Sequence, residues 1–366
     1  MSGRAVIITG VMVYLAVSLG CVLSGSSNSA AESPRPAAAA SASSLQPSTY
    51  LKELPLRGIG MQIHRIDWID EYKKSIDEIA KIGADTVLLV VDARMENGRS
   101  SAVYLDMRLT PTPPQLGELI THAKQQKLRV VLMPIVLLDH PRGMEWRGTI
   151  NPESWSTWWE SYRAFLHHYS WIAQAYGVDV LVVGSELVST ETMVEEWRKT
   201  IAGVRKTFRG LLTYSSNWDH YWDIPFWDQL DLIGMNSYWK LGEDRNVSVD
   251  EIQQRWARIQ SRVLPFVRRT GKPLLFLEVG WCSLENAAHE PWDYTRTDYS
   301  VDLELQRKLY EGFFRSWYGV PELGGFMMWE WTPGDGGSND RGYTPEGKPA
   351  AKVLKEWMNK PRWTVK

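Results

Sequence analysis

From about residue 50 onward, short apolar runs alternate with amphipathic stretches of helical period. The runs that read as strands are Gly58 to His64, Asp85 to Val91, Arg129 to Leu137 and Val178 to Gly184. They continue with Leu211 to Ser215, Leu232 to Asn236, Leu274 to Val279 and Gly325 to Trp329. Most are apolar on every residue, the pattern of strands buried on both faces of a parallel sheet. Between them the 3.6-residue period predicts helices over 69–82, 114–126, 152–176, 192–208, 250–270, 301–317 and 350–358. The third should open with Asn151 as N-cap and Pro152 at the first helical position. Eight such alternations match an α/β fold of the (β/α)8 TIM-barrel type with enlarged loops. A doubly wound sheet would carry a Gly-rich phosphate loop after its first strand, and Gly58-Ile59-Gly60-Met61-Gln62-Ile63 does not complete one.

The first 50 residues follow another pattern. Arg4 precedes an apolar run to Val17, which ends in Ser18-Leu19-Gly20-Cys21. That is a secretory signal or anchor over residues 1–25. It resembles a bacterial lipoprotein signal, with Cys21 as the lipidation site. Residues 26–50 are rich in Ser, Ala and Pro and hold too little apolar surface to fold, so a flexible tether is expected. The barrel then occupies 51–366. Export is expected, with the chain either secreted or attached to the cell envelope through its N-terminus.

Composition narrows the chemistry. The chain has 366 residues, 23% of them charged, with a formal net charge of −2, which gives no electrostatic basis for nucleic-acid binding. Two cysteines, Cys21 and Cys282, lie too far apart in sequence and context to suggest a disulfide framework. No His/Cys spacing suggests a metal, and the acidic loop 335–340 reads as a solvated turn, so neither metal nor organic cofactor is expected. A count of 19 Trp stands out. Indoles grouped at strand ends suit sugar rings, whose CH faces stack on them. Those at 155, 158 and 159, with Tyr162 and Phe165, have helical spacing and read as core.

In a barrel the chemistry sits at the C-terminal ends of the strands. Those ends carry His64, Asp92 and Arg94, Asp139 with Trp146 and Arg147, Ser185 and Glu186, and Asn217 and Trp218. Next come Asn236 and Tyr238, Glu278 and Trp281, then Trp329 and Glu330. Glu186 ends the fourth strand and Glu278 the seventh, on opposite sides of the barrel mouth. A charge placed there needs partners or a cleft. Two of them suggest a catalytic carboxyl pair. Glu330 is a third strand-end acid, and its flanking indoles suggest that it points into the barrel wall.

Several segments together resemble glycoside hydrolase family 113, within the large clan of retaining barrel hydrolases. They are Trp146-Arg147-Gly148, Gly184-Ser185-Glu186-Leu187, Ser216-Asn217-Trp218-Asp219, Leu277-Glu278-Val279-Gly280-Trp281, Trp329-Glu330-Trp331 and Gly342-Tyr343-Thr344-Pro345-Glu346-Gly347-Lys348-Pro349. The resemblance implies an endo-β-1,4-mannanase-like enzyme with Glu186 as acid/base and Glu278 as nucleophile. It implies Tyr238 as the hydroxyl beside the nucleophile, and Asn217, Trp281 and Trp329 as residues lining the sugar site. Arg94, Trp146, Arg147 and Trp218 complete the expected substrate contacts, with Arg94 expected to hold Glu278 ionised. Two departures from the family pattern are Ser185, where the clan often has Asn, and Pro134-Ile135-Val136 in place of Pro-His-Val.

A retaining hydrolase needs its two carboxyls roughly 5 to 5.5 Å apart. Its partner is a polysaccharide or oligosaccharide, and a monomer is expected. Two other readings share these residues: a non-catalytic polysaccharide-binding protein, and a hydrolase or transglycosylase acting on another β-glycan or an exopolysaccharide.

Overall fold

The computed structural model describes residues 51–295 and 297–366. The signal segment, Cys21 and the tether lie outside the described residues. Eight strands form one closed parallel barrel in sequence order. They are β1 (Leu56–Gln62), β2 (Thr86–Met95), β3 (Arg129–Leu138), β4 (Val180–Ser185), β5 (Leu211–Ser216), β6 (Ile233–Asn236), β7 (Leu274–Val279) and β8 (Leu323–Met328). Pairing of β1 with β8, from Leu56 opposite Gly325 to Ile59 opposite Met328, closes the ring.

Among the described residues seven helices pack outside it: α1 (Ile69–Ile82), α2 (Pro113–Gln125), α3 (Trp155–Tyr176), α4 (Val194–Thr207), α5 (Val249–Thr270), α6 (Leu303–Trp317) and α7 (Pro349–Met358). The β5–β6 connection departs from the regular alternation. Among the described residues it holds two 3-10 turns, Tyr221–Asp223 and Trp227–Gln229, in place of a helix.

Strand alternation divides the apolar residues into two cores. Leu88, Val90, Val131, Met133, Val180, Val182, Leu275, Leu277 and Met327 fill the barrel, and Trp329 belongs to this inner cluster. Val87, Leu89, Val91, Leu181, Val183, Phe276 and Val279 face the helices. The aromatic run of α3 belongs to this outer core, as its spacing predicts. Trp158 stacks on Tyr162 at 4.8 Å, and Trp159 meets Trp197 edge-on at 5.3 Å.

α3 starts three residues later than the Asn-Pro signal suggests. Ser154 is its N-cap, accepting a hydrogen bond from the Thr157 amide at 3.3 Å. The amides of Asn151 and Glu153 donate instead to the carbonyls of Gly98 and Arg99, at 2.7 and 3.0 Å. Those contacts hold the segment extended against the loop after β2. Elsewhere the local rules hold: α2 and α5 open on capping boxes, Thr112 with Gln115 and Ser248 with Glu251.

Candidate active site

The β4 end departs from regular strand geometry where its acid appears. The β4–β5 register shifts between Val182 and Ser185, and Glu186 adopts φ = +56°, the left-handed region that non-glycine residues seldom occupy. Irregularities of this kind re-aim a side chain at the rim of a barrel. The turn is pinned on both sides. The Glu186 amide donates to the Ser215 carbonyl, and the Leu187 amide donates to the Tyr214 hydroxyl, each at 2.9 Å. Tyr214 in turn donates to Glu191 at 2.7 Å. His220 Nε2 lies 3.1 Å from the second Glu191 oxygen, within ion-pair distance. His220 Nδ1 also meets Asp219 at 2.7 Å.

Asn236, at the end of β6, ties the neighbouring loops together. Its Nδ2 donates to Glu186 Oε1 at 2.5 Å and to Asn217 Oδ1 at 2.9 Å, and its Oδ1 accepts from the Trp218 amide at 3.0 Å. The Trp218 ring lies 6.2 Å from Trp292, tilted by 21°, and meets Trp239 edge-on at 5.9 Å. On the opposite side, the Tyr238 hydroxyl donates to Glu278 Oε2 at 2.7 Å. Ser237 donates through both its amide and its hydroxyl to the Glu278 carbonyl.

Arg147, in the 3-10 turn after β3, places Nε 3.6 Å from Glu186 Oε2. Trp146, beside it, is 39% exposed and folds its ring over Gly148, where a Cβ would meet the indole at 2.3 Å. Trp329 lies over Gly60 of β1, where an added Cβ would stand 3.1 Å from the indole, and closes the top of the inner core.

Two of the expected substrate contacts fail. Arg94 does not contact Glu278: it pairs with Asp92 two residues earlier on β2, at 2.6 Å, and with Asp139 at 3.2 Å. The cation beside the glutamates is Arg147. Trp281 is fully buried away from the mouth, against Tyr310 and Phe313 of α6. It lies two residues past the helix-facing Val279, and strand alternation keeps it on that side.

The site also holds partners that the strand-end pattern ranked low or left unassigned. Asn236 holds Glu186. Glu330 accepts from Gln62 Nε2 at 2.9 Å instead of pointing away from the site. Trp239 and Trp292 come from loops, where periodicity carries no information.

Burial raises the proton affinity of both central acids. For Glu186 the Arg147 charge and the Asn236 hydrogen bond oppose that shift. For Glu278 burial is reinforced by the charge of Glu186 and, more weakly, of Glu330. Arg147 and the Tyr238 hydrogen bond oppose it. Two buried carboxylates acting on each other resist ionising together, so they titrate as a pair. A coupled carboxyl pair with one member protonated and the other ionised can give a proton to one atom while attacking another.

The family model for Glycoside Hydrolase Family 113 matches residues 59–348. The chain belongs to glycoside hydrolase family 113. This glycoside hydrolase is similar to a family 113 β-mannanase from Alicyclobacillus acidocaldarius, solved in complex with ManMIm. The two share 28% identity and a TM-score of 0.76, over 84% of this chain and 98% of that one. A second structure, a complex of a family 113 β-1,4-mannanase, gives 26% identity and the same TM-score, over 84% of this chain and 99% of that one. A family 5 protein from Streptomyces cattleya, at 13% identity and a TM-score of 0.57 over 84% of this chain and 82% of that one, shares the fold alone. A search of functionally curated proteins found no match.

Proposed function

We propose that this family 113 enzyme hydrolyses β-1,4-mannan with retention of configuration. The carrying observation is that Glu186 and Glu278, from β4 and β7, share one buried site in which Tyr238 is bonded to Glu278. The family 113 neighbours, described as β-mannanases, support the choice of substrate.

In this reading ionised Glu278 attacks the anomeric carbon. The glycosidic C–O bond breaks, and the leaving oxygen takes the proton of Glu186. A glycosyl ester on Glu278 results. Water then gives a proton to Glu186 and its oxygen to the anomeric carbon, which frees Glu278. Tyr238 orients the nucleophile, and Asn236 and Arg147 hold the acid/base. Trp329 forms the floor under the sugar, with Asn217 and Trp218 on the Glu186 side. The N-terminal segment suits an exported enzyme held at the envelope by Cys21, so that the barrel meets polysaccharide outside the cell.

Reducing-end release by the full chain on β-mannan, glucomannan, xylan and β-glucans tests the reading, with Glu278→Gln and Glu186→Gln alongside. Activity on mannan, retained anomeric configuration and a loss of about 10²-fold or more in each variant are expected. Full activity in either variant would discard the residue assignment. Activity on another glycan alone would keep the chemistry and discard mannan. Sugar binding without release would favour the non-catalytic reading.

A further inference from the structure

One hydrogen-bonded chain runs along the barrel rim from the end of β3, past β2 and β1, to the segment after β8. It starts at Tyr104, whose hydroxyl donates to Asp139 Oδ2 at 2.7 Å. Arg94 Nη1 meets the other Asp139 oxygen, and Arg94 Nε meets Asp92 Oδ2. Asp92, fully buried, faces His64 Nδ1 at 3.0 Å through its second oxygen. His64 Nε2 meets Gln62 Oε1 at 2.8 Å, and Gln62 Nε2 donates to Glu330 Oε2. From Asp139 to Gln62, every side-chain carboxyl oxygen, imidazole nitrogen and amide end in this chain is occupied.

Glu330 is where the chain ends. Among the described residues its Oε1 receives no hydrogen bond, and that atom is not among those sealed from solvent without a partner. Its neighbours add nothing to neutralise it beyond His64. Asp335 from the loop after β8 is negative, and burial pushes the Glu330 carboxyl up to about 7. Holding an open carboxyl oxygen in such surroundings is costly unless a ligand donates to it. The chain also fixes its direction, since Gln62 cannot turn without losing His64.

Position identifies the ligand. The Trp329 amide donates to the Val279 carbonyl at 2.7 Å, which ties the segment just past β8 to the end of β7, and the charge of Glu330 is felt at Glu278. Glu330 directly follows Trp329, the indole floor. A pyranose stacked on an indole presents its apolar face to the ring and its hydroxyls outward along the edge. A carboxylate at that edge accepts from them.

We propose that Glu330 is a substrate-binding residue that accepts hydrogen bonds from hydroxyls of a mannosyl unit stacked on Trp329. The Gln62–His64–Asp92 chain serves to hold its open oxygen toward the cleft. The assignment rests on the β-mannan reading above and deepens it by naming a specificity contact.

The test is calorimetric titration of the full chain carrying Glu278→Gln with β-1,4-manno-oligosaccharides and with analogues lacking one hydroxyl at a time. The same titrations are then run with Glu330→Gln added. Loss of a charge-assisted hydrogen bond should weaken binding of the natural oligosaccharide about tenfold or more. At least one deoxy analogue should bind weakly to the first protein and lose nothing further when Glu330 is changed. Equal affinity with and without Glu330→Gln, in a protein that binds the oligosaccharide, overturns the Glu330 assignment and leaves the mannan reading standing. No binding by Glu278→Gln and no release from β-mannan by the wild type overturn both. If Glu330→Gln fails to fold, the deoxy series on Glu278→Gln alone decides, and a series with no affinity loss overturns the proposal.

Discussion

Arg147 Nε lies 3.6 Å from Glu186 Oε2, so the guanidinium stands beside the acid that the proposed mechanism needs protonated. It stabilises the ionised form of Glu186 and, at longer range, of Glu278. Removing it should raise the proton affinity of both. In Arg147→Gln both limbs of the kcat/KM profile against pH should move upward, by on the order of one unit. The acidic limb follows ionisation of the nucleophile and the alkaline limb follows loss of the acid/base proton. Limbs that stay in place would mean that Arg147 acts on substrate alone.

Tyr238 and Glu330 should move the acidic limb in opposite directions. Tyr238→Phe removes a hydrogen bond to the charged form of Glu278, so ionisation becomes harder and the limb rises. Glu330→Gln removes a negative neighbour of Glu278, so ionisation becomes easier and the limb falls. Profiles of the two variants side by side would show this, and shifts of the same sign would contradict the electrostatic account.

The Glu191–His220–Asp219 cluster braces the turn that carries Glu186. Contacts with Glu191 and then Asp219 raise the His220 proton affinity to about 9. A base whose affinity is raised by folding contributes stability in full below its unfolded value of about 6.5. That contribution is lost as pH rises through about 9. Wild-type melting temperature should therefore fall across this window more steeply than that of His220→Gln. Parallel curves for the two proteins would remove the brace from the stability argument.

Lys348 joins the loops after β7 and β8 from a fully buried position. Its ammonium donates to Ser283 Oγ at 2.7 Å, Asp340 Oδ1 at 2.6 Å and the Gly342 carbonyl at 2.9 Å. Asp340 also accepts from the Gly336 and Gly342 amides, so the acidic loop 335–340 is fastened rather than freely solvated. Lys348→Met leaves Asp340 without its cation and should cost about 3 kcal/mol or more in denaturant unfolding. A double variant with Asp340→Asn should recover part of the loss, and an unchanged midpoint in the single variant would refute the clamp.

The barrel was legible because its strands are apolar on both faces, a pattern that water-facing strands do not show. Glu186 and Glu278 were legible for the same reason: each is a charge placed where an apolar run ends. Tyr238 followed from its position after the sixth strand and from the family resemblance. Arg94 and Arg147 were not distinguishable in this way. Arg94 lies near the end of β2 and Arg147 in the turn after β3, and which acid each meets depends on loop path and on the local pair that Asp92 offers.

The sequence by itself determined the succession of buried strands and amphipathic helices, the barrel, and the end of the molecule that carries the acids. Period and polarity are local properties, and burial reads them directly. Only the tertiary structure decided that Trp281 turns to the helix side, that α3 waits for Ser154, and that Glu330 ends a hydrogen-bonded chain beside Glu278. Those outcomes depend on which surfaces meet across long stretches of chain, as in the 268-residue separation of Gln62 and Glu330. No local pattern encodes a partner at that distance.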